Sequence, residues 1–353
     1  MVNTVILVHE TEAQCRERLL AMGFPYGTAV EIASYLAQST DMMALMPQLR
    51  GVAMARGIGI IPVEVTDLAH MINALRPNLI WPLTDGYGYF RGSAAAALSV
   101  LADIPIFGSA PDLYCLAQDK FRSSATLAAA GYPVPPAGLL YGDEVLVPLP
   151  PTETGYFVKP NCLGAKIGIT DASRAATPDE VRAVAVEIAE TYRDRAIVQP
   201  YIPGRNIRVS YLRVHDDACA DTMGIFAVDH GGDFQTAKDS MALYGQTRSP
   251  SLEAPAFIDL DATEPEVADR IRAIVWPAAQ LLGLRDVFSF DLRLDGEGMP
   301  HILEFEVSPG IPCFDFGHFV EHRWQMPLTN ALTSALGAAI TRSSPYELDR
   351  LSQ

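Results

Sequence analysis

The sequence predicts an α/β protein that turns to α+β in its later domains: an open parallel sheet comes first, then two domains of helices and antiparallel strands. Three observations carry this reading. Over the first 110 residues, short β-branched or aromatic runs alternate with helix-length stretches, and strands separated by helices pair in parallel. Three prolines within residues 132–136 stop that rhythm. Beyond residue 207 the strands lengthen, and residues 288–307 form a hairpin pattern in which acids alternate with bulky apolar side chains. At 353 residues the chain is long enough for two or three domains. The divisions fall at 1–111, 112–202 and 203–353.

The elements follow in order. Residues 4–9, 58–65, 78–83 and 104–107 are predicted strands, and 28–46, 66–75 and 93–101 predicted helices, the second with Leu68, Met71, Ile72 and Leu75 near helical spacing. A helix over 111–131 ends at the prolines. Strands at 145–149, 156–159 and 197–202 bracket a helix over 177–193, which Thr177, Pro178, Asp179 and Glu180 open in cap-like order. Strands at 207–214 and 223–228 precede a polar stretch, 229–255, that suits a loop over a site. A helix over 265–282 leads into the hairpin, which turns at Asp295-Gly296-Glu297-Gly298.

Composition removes several function classes. Half of the chain is hydrophobic and 19% is charged, which excludes a disordered chain. A net charge of −16 repels phosphate backbones and anionic lipid heads, so neither nucleic acid nor a membrane surface is an expected partner. Cys15, Cys115, Cys162, Cys219 and Cys313 are scattered and form no CxxC pair, which argues against a disulfide framework or a zinc knuckle and for a reducing cytoplasm. The N-terminal apolar run lacks a basic flank and reads as a strand, not a signal peptide.

The hairpin carries the most chemistry. Strand side chains alternate faces, so Asp291 falls on one face together with Glu304 and Glu306, and Asp291 lies opposite Glu304. Two carboxylates about 4 Å apart repel by roughly 4 kcal/mol at an effective dielectric of 20, so the pair requires a cation or a raised pKa. Phe290, Leu292, Leu303 and Phe305 make the other face apolar. Hard oxygen ligands with open positions suit magnesium, which shares its shell with phosphates. A phosphate cradle is available in residues 157–169, where a strand bearing Lys159 runs into a loop with Gly164, Lys166 and Gly168; Lys120 adds another charge.

Together these segments resemble the ATP-grasp superfamily and, within it, the D-alanine:D-alanine ligase group. The resemblance runs through Ile80-Trp81-Pro82-Leu83-Thr84-Asp85-Gly86, Arg91-Gly92, the Ile104 to Ser109 segment, Asp119-Lys120, Gly131-Tyr132-Pro133-Val134-Pro135, the glycine loop, Val198-Gln199-Pro200-Tyr201-Ile202-Pro203-Gly204, and Asp291 with the Leu303 to Gly310 segment. It implies an ATP-grasp fold whose two later domains clasp ATP. Lys120, Lys159, Gly164 and Lys166 would meet the phosphates, Gln199, Tyr201 and Ile202 the adenine, and Asn206 the ribose. Asp291, Glu304 and Glu306 would hold magnesium, or manganese in its place. Ser308, Gly310 and Asp315 would line the substrate pocket. The implied reaction activates a small-molecule carboxylate as an acyl phosphate and lets an amine attack it, with ADP and phosphate released. A homodimer through the first domain is implied as well.

Departures from the family pattern bear on substrate. Ser289 stands where the D-alanine ligases carry an arginine that steadies the tetrahedral intermediate. Arg293, two residues beyond Asp291 on the same face, is the expected replacement. Asp315 stands where a serine helps hold the acceptor's carboxylate, Asn206 where a ribose-binding glutamate is usual, and Ala165 and Lys166 where the loop has two serines. Lys238, in the polar stretch, is placed to close on the phosphates. The expectation is therefore a carboxylate–amine ligase of peptide or specialised metabolite synthesis with an acceptor other than D-alanine. D-alanine:D-alanine ligation proper and a non-catalytic nucleotide-binding regulator are the alternatives. Two weaker patterns compete: Gly86-Tyr87-Gly88 with Gly92 as a dinucleotide turn, which lacks the third glycine, and His318 to His322 as a zinc-binding HxxEH.

Overall fold

The structure is a computed structural model that describes residues 2–40, 42–84, 90–214, 223–229, 231–236, 256–310, 320–321 and 323–342. Its first sheet is parallel, in the order β2-β1-β3, and consists of β1 (Asn3–Val8), β2 (Ile58–Val63) and β3 (Leu79–Pro82). Val5 of the central strand is in register with Ile60 and Leu79. Residues 5–8 are wholly buried because helices cover both faces, as the unbroken apolar run requires. The helices of this region are α1 (Glu12–Ala21), α2 (Tyr26–Thr40), α3 (Met46–Ala55), α4 (Leu68–Leu75) and α5 (Phe90–Leu101).

Three expectations are corrected here. Residues 104–107 do not form a fourth strand; Pro105 has no N–H for a ladder, and a single bridge joins Ile80 to Ile106. The helix expected over 28–46 ends at Thr40, and α3 was not anticipated. The helix expected over 111–131 is two, α6 (Pro111–Gln118) and α7 (Lys120–Ala129). Asp119 between them is extended, and its carboxylate accepts the Arg122 N–H as an N-cap. This break puts Lys120 at the first turn of a helix.

The second sheet has the order β5-β4-β8-β6-β7 and contains β4 (Gly138–Tyr141), β5 (Glu144–Val147), β6 (Tyr156–Pro160), β7 (Arg174–Ala175) and β8 (Ala196–Pro200). It is antiparallel and packs on α8 (Pro178–Tyr192), which opens with a capping box between Thr177 and Glu180. The third sheet, also antiparallel, has the order β11-β10-β9-β12-β13, with β9 (Gly204–Leu212), β10 (Met223–Asp229), β11 (Ala256–Asp259), β12 (Val287–Asp295) and β13 (Pro300–Glu306). After β11 come α9 (Leu260–Thr263) and α10 (Pro265–Leu282), whose buried face covers one side of this sheet.

At Gly204 the chain enters β9 with φ +145°, and an ideal Cβ there would stand 2.0 Å from the Leu294 carbonyl oxygen. Only glycine fits this approach, which brings the segment after β8 against β12. The last described helix, α11 (Leu328–Ile340), returns to the first sheet. Its Leu332, Ala335 and Leu336 share a core with Val5, Trp81, Leu212 and Val287. That shared core fixes the parallel sheet against the third sheet and sets the two sides of the cleft.

Candidate active site

The β12–β13 hairpin forms as its pattern requires, with Asp291 in register with Glu304 and Ser289 with Glu306. A bulge between Asp291 and Leu292 shifts the pairing, so Ile302 and not Leu303 completes the apolar face with Phe290, Leu292 and Phe305. The polar face looks into a cleft that is also lined by Thr84, Tyr114, Gln118, Gly164, Ser308 and Gly310.

Two lysines with buried side chains meet Glu304. Lys120 Nζ lies 3.2 Å from its Oε2 and also donates to the Leu163 carbonyl at 2.7 Å, while Lys159 Nζ is 4.0 Å from the same oxygen. Asp119 underpins this arrangement. Its carboxylate accepts from Asn161 Nδ2 at 2.9 Å and from Arg195 Nη2 at 3.0 Å, and the Asn161 carbonyl accepts the Lys120 backbone N–H. Asn161 and Arg195 escaped the sequence reading, because only the fold joins residues 119, 161 and 195.

The other two acids share one arginine. Arg208, in register with Asp291 across β9 and β12, donates Nη1 to Asp291 Oδ1 at 2.9 Å and Nη2 to Glu306 Oε2 at 2.7 Å. Sequence reasoning passed over Arg208, although strand alternation from Asn206 sets it on the site face. Arg293 is a correction to expectation. Although on the Asp291 face, it turns away from the acids: Nε donates to the Ile202 carbonyl at 3.0 Å and Nη1 to Asn206 Oδ1 at 2.7 Å and the Asp233 carbonyl at 3.0 Å. Its charge braces the chain between β8 and β9.

That segment holds the residues expected at adenine. Tyr201 is buried, with the Arg174 guanidinium 4.2 Å from its ring centroid. Gln199 is 3% exposed, and its Nε2 has no hydrogen-bond partner. A buried amide donor left unpaired is costly unless a ligand completes it, which fits a nucleotide base at this place. In the glycine loop, Ala165 and Lys166 both take left-handed backbone (φ +60° and +64°), and Lys166 Nζ donates to Gln235 Oε1. Ser308 donates to the Pro82 carbonyl at 3.2 Å. Lys238, Asp315, the Gly86-Tyr87-Gly88 turn and most of the HxxEH segment lie outside the described residues, as does most of 229–255.

The family model described as D-ala D-ala ligase C-terminus matches residues 152–319. The D-alanine–D-alanine ligase of Azoarcus sp. is 29% identical over 228 residues, covering 64% of this chain and 68% of that protein. That of Dichelobacter nodosus is 27% identical over 294 residues, covering 77% and 86%. Among solved structures, the D-alanine–D-alanine ligase of Bacillus anthracis complexed with ATP superposes with a TM-score of 0.61 at 15% identity, over 96% of this chain and 99% of that one. The VanG D-Ala:D-Ser ligase of Enterococcus faecalis gives 0.62 at 14% identity, over 96% and 100%. The chain is D-alanine–D-alanine ligase-like in sequence over residues 152–319 and has the ATP-grasp fold.

For an ATP-grasp enzyme the donor set fits magnesium in a limited sense. Among the described residues no three His, Cys, Asp or Glu side chains are spaced to cage an ion by themselves. Glu304 is turned to the lysines, and Asp291 and Glu306 to Arg208. Magnesium takes only one or two carboxylates and completes its shell with water and phosphate oxygens, so a full cage is not required.

The three acids differ electrostatically. Burial raises the Asp291 carboxyl, Arg208 lowers it, and Glu304 and Glu306 raise it again, which leaves it at about 6. Burial raises Glu304 too, but Lys120 and Lys159 outweigh that and bring it down to about 2. Lys159 is lowered by its own burial, partly offset by Glu304. Because the Asp291 pKa is raised, its folded-state penalty is absent below about pH 4 and complete above about pH 6. An ion held by Asp291 must displace that proton. Magnesium affinity, measured by calorimetry in the presence of ADP, is therefore expected to weaken roughly tenfold between pH 7.5 and pH 5, with proton release in the acidic range. A pH-independent affinity would contradict ligation by Asp291.

Proposed function

We propose that this chain is an ATP-dependent carboxylate–amine ligase acting on D-alanine, joining two small amino acids through an acyl phosphate. The observation that carries the reading is the pair of buried lysines, Lys120 and Lys159, facing Glu304 on a sheet that also presents Asp291 and Glu306. Two ammonium groups held against a carboxylate suit a triphosphate that exchanges with it. Lys120 and Lys159 would neutralise the phosphates of ATP, with the Gly164 turn beside them. Gln199, Tyr201 and Ile202 would bind the base. Asp291, Glu304 and Glu306 would hold magnesium, which when bound draws charge from the transferred phosphoryl group. The substrate carboxylate would take the γ-phosphoryl group and ADP would leave; the amine would then displace phosphate. Positioning and charge neutralisation supply most of the rate.

The reading includes a cytoplasmic homodimer, on the strength of the family resemblance and the scattered cysteines; no described helix is long and apolar enough to cross a membrane. The test is ADP release with magnesium, ATP and D-alanine, with the product identified by mass spectrometry. D-Alanyl-D-alanine is the expected product.

One observation favours a second reading. Ser289 is buried and neutral where the D-alanine ligases carry their arginine, which points to a different acceptor or donor. A panel of amino acids and other carboxylates with hydroxylamine as the amine separates the two. Hydroxamate from another carboxylate, together with no turnover of D-alanine, would replace the first reading by the second.

A further inference from the structure

The reaction proposed above places an oxyanion on the substrate, and the position from which the D-alanine ligases would answer it holds a serine. Ser289 is fully buried, and its hydroxyl donates to Glu306 Oε2 at 2.8 Å. Across the β9–β12 ladder Ser289 is paired with Ser210, which is also buried, so two short neutral side chains sit side by side.

The cation is one strand away. Arg208 precedes Ser210 by two residues on the same face of β9, and its guanidinium spans from Asp291 to Glu306. Its Nη2 and the Ser289 hydroxyl both donate to Glu306 Oε2, so the two converge on one oxygen. Its side chain is 11% exposed, so its field is weakly screened. Arg293 points elsewhere: it donates to the Ile202 and Asp233 carbonyls and to Asn206 Oδ1, away from the acids.

We infer that Arg208 is the catalytic cation of this site, its charge moved from β12 to the neighbouring strand β9. The inference rests on the ligase reading. In the second half of that reaction the amine nitrogen forms a bond to the acyl carbon, and the carbonyl π electrons move onto oxygen. The oxyanion collapses as the bond from carbon to the phosphate oxygen breaks; phosphate leaves with that electron pair, and the amine proton passes to water. Arg208 meets the oxyanion between these two events. A guanidinium suits this role because it stays charged at every working pH and carries two donors in one planar fork. Were Asp291 and Glu306 to hold an ion, the two Arg208 donors that they now occupy would become available to the oxyanion.

The test compares Arg208→Gln, Arg208→Lys and the double variant Arg208→Gln with Ser289→Arg, each shown to be folded by its thermal transition. With saturating magnesium and ATP, kcat of Arg208→Gln is expected to fall by about 100-fold or more while KM for ATP changes by less than about threefold. Returning an arginine through Ser289→Arg is expected to restore about tenfold of that loss. A residue that merely holds the acids apart before the ion binds would change magnesium affinity and leave kcat intact. A kcat within about threefold of wild type in Arg208→Gln therefore overturns the inference. A binding readout accompanies the kinetics: with magnesium-ATP, wild-type protein should hold a phosphinate dipeptide analogue, whose tetrahedral oxyanion mimics the intermediate, more tightly than D-alanine, and Arg208→Gln should lose that gain. Equal gains in both proteins also overturn the inference. Wild type that releases no ADP with any carboxylate would count against the ligase reading, while the phosphinate comparison still decides Arg208.

Discussion

Replacing Glu304 by Gln is expected to lower ADP release by about 1,000-fold and to abolish most of the gain that magnesium gives to nucleotide binding. The side chain faces Lys120 at 3.2 Å and Lys159 at 4.0 Å, and those lysines draw its pKa down to about 2. On the proposed reading the carboxylate would compete with phosphates for the two ammonium groups and would turn to the ion that arrives with the nucleotide. The amide keeps the shape and loses the charge. Both lysines are then left in a buried position with one counter-charge fewer, which favours any incoming polyanion. Calorimetry should therefore show metal-free ADP binding more tightly to Glu304→Gln than to wild type, with magnesium giving little further gain. Loss of one carboxylate from the ion and one charge from the transferred phosphoryl group is worth roughly 4 kcal/mol of transition-state stabilisation, which is the 1,000-fold expected. A variant that still responds to magnesium as wild type does would remove Glu304 from the ion site.

The second large effect is on stability and lies far from the chemistry in sequence. Asp286, 1% exposed, accepts the Gly108 N–H at 2.8 Å and pairs with Arg342, while Arg285 Nε donates to the Gly108 carbonyl at 3.0 Å. This knot ties residue 108, just beyond the parallel sheet, to the strand that carries Asp291 and to the end of α11. Asp286→Ala leaves a buried guanidinium and a buried N–H without this partner, so a loss of about 3–5 kcal/mol is expected, read as a lower denaturant midpoint and thermal transition. Asp286→Asn, which retains an acceptor for Gly108, should lose less. An Asp286→Ala protein as stable as wild type would show that the apolar core shared by the sheets suffices to hold the cleft.

Much of the hairpin was legible because strand alternation is rigid. The pairing of Asp291 with Glu304 follows from counting residues around Asp295 to Gly298, and the structure bears it out. Alternation failed one residue further on, where the bulge sends Ile302 inward in place of Leu303; a bulge leaves no mark in a period-two pattern. The split of one helix into α6 and α7 at Asp119 was readable in principle, since aspartate is a strong N-cap, but the apolar spacing runs through it. Pro105, by contrast, argued openly against a strand at 104–107.

Arg293 and Arg208 show the limit most plainly. Both lie on the site face of neighbouring strands, two residues from Asn206 or from Asp291, and the sequence holds nothing that ranks them. Choice between them depends on which acceptors stand within reach: carbonyls after β8 for Arg293, carboxylates for Arg208. Each set is brought up by chain segments some 80 to 100 residues away. What the amino-acid order determined by itself was therefore local: the alternating strands, the capped helices, the acids on one hairpin face and the lysines flanking a glycine turn. The tertiary structure decided which charges meet. A long side chain's partner is set by the packing of distant segments and by the cost of leaving a buried charge unpaired, and neither is written in the spacing of neighbours along the chain.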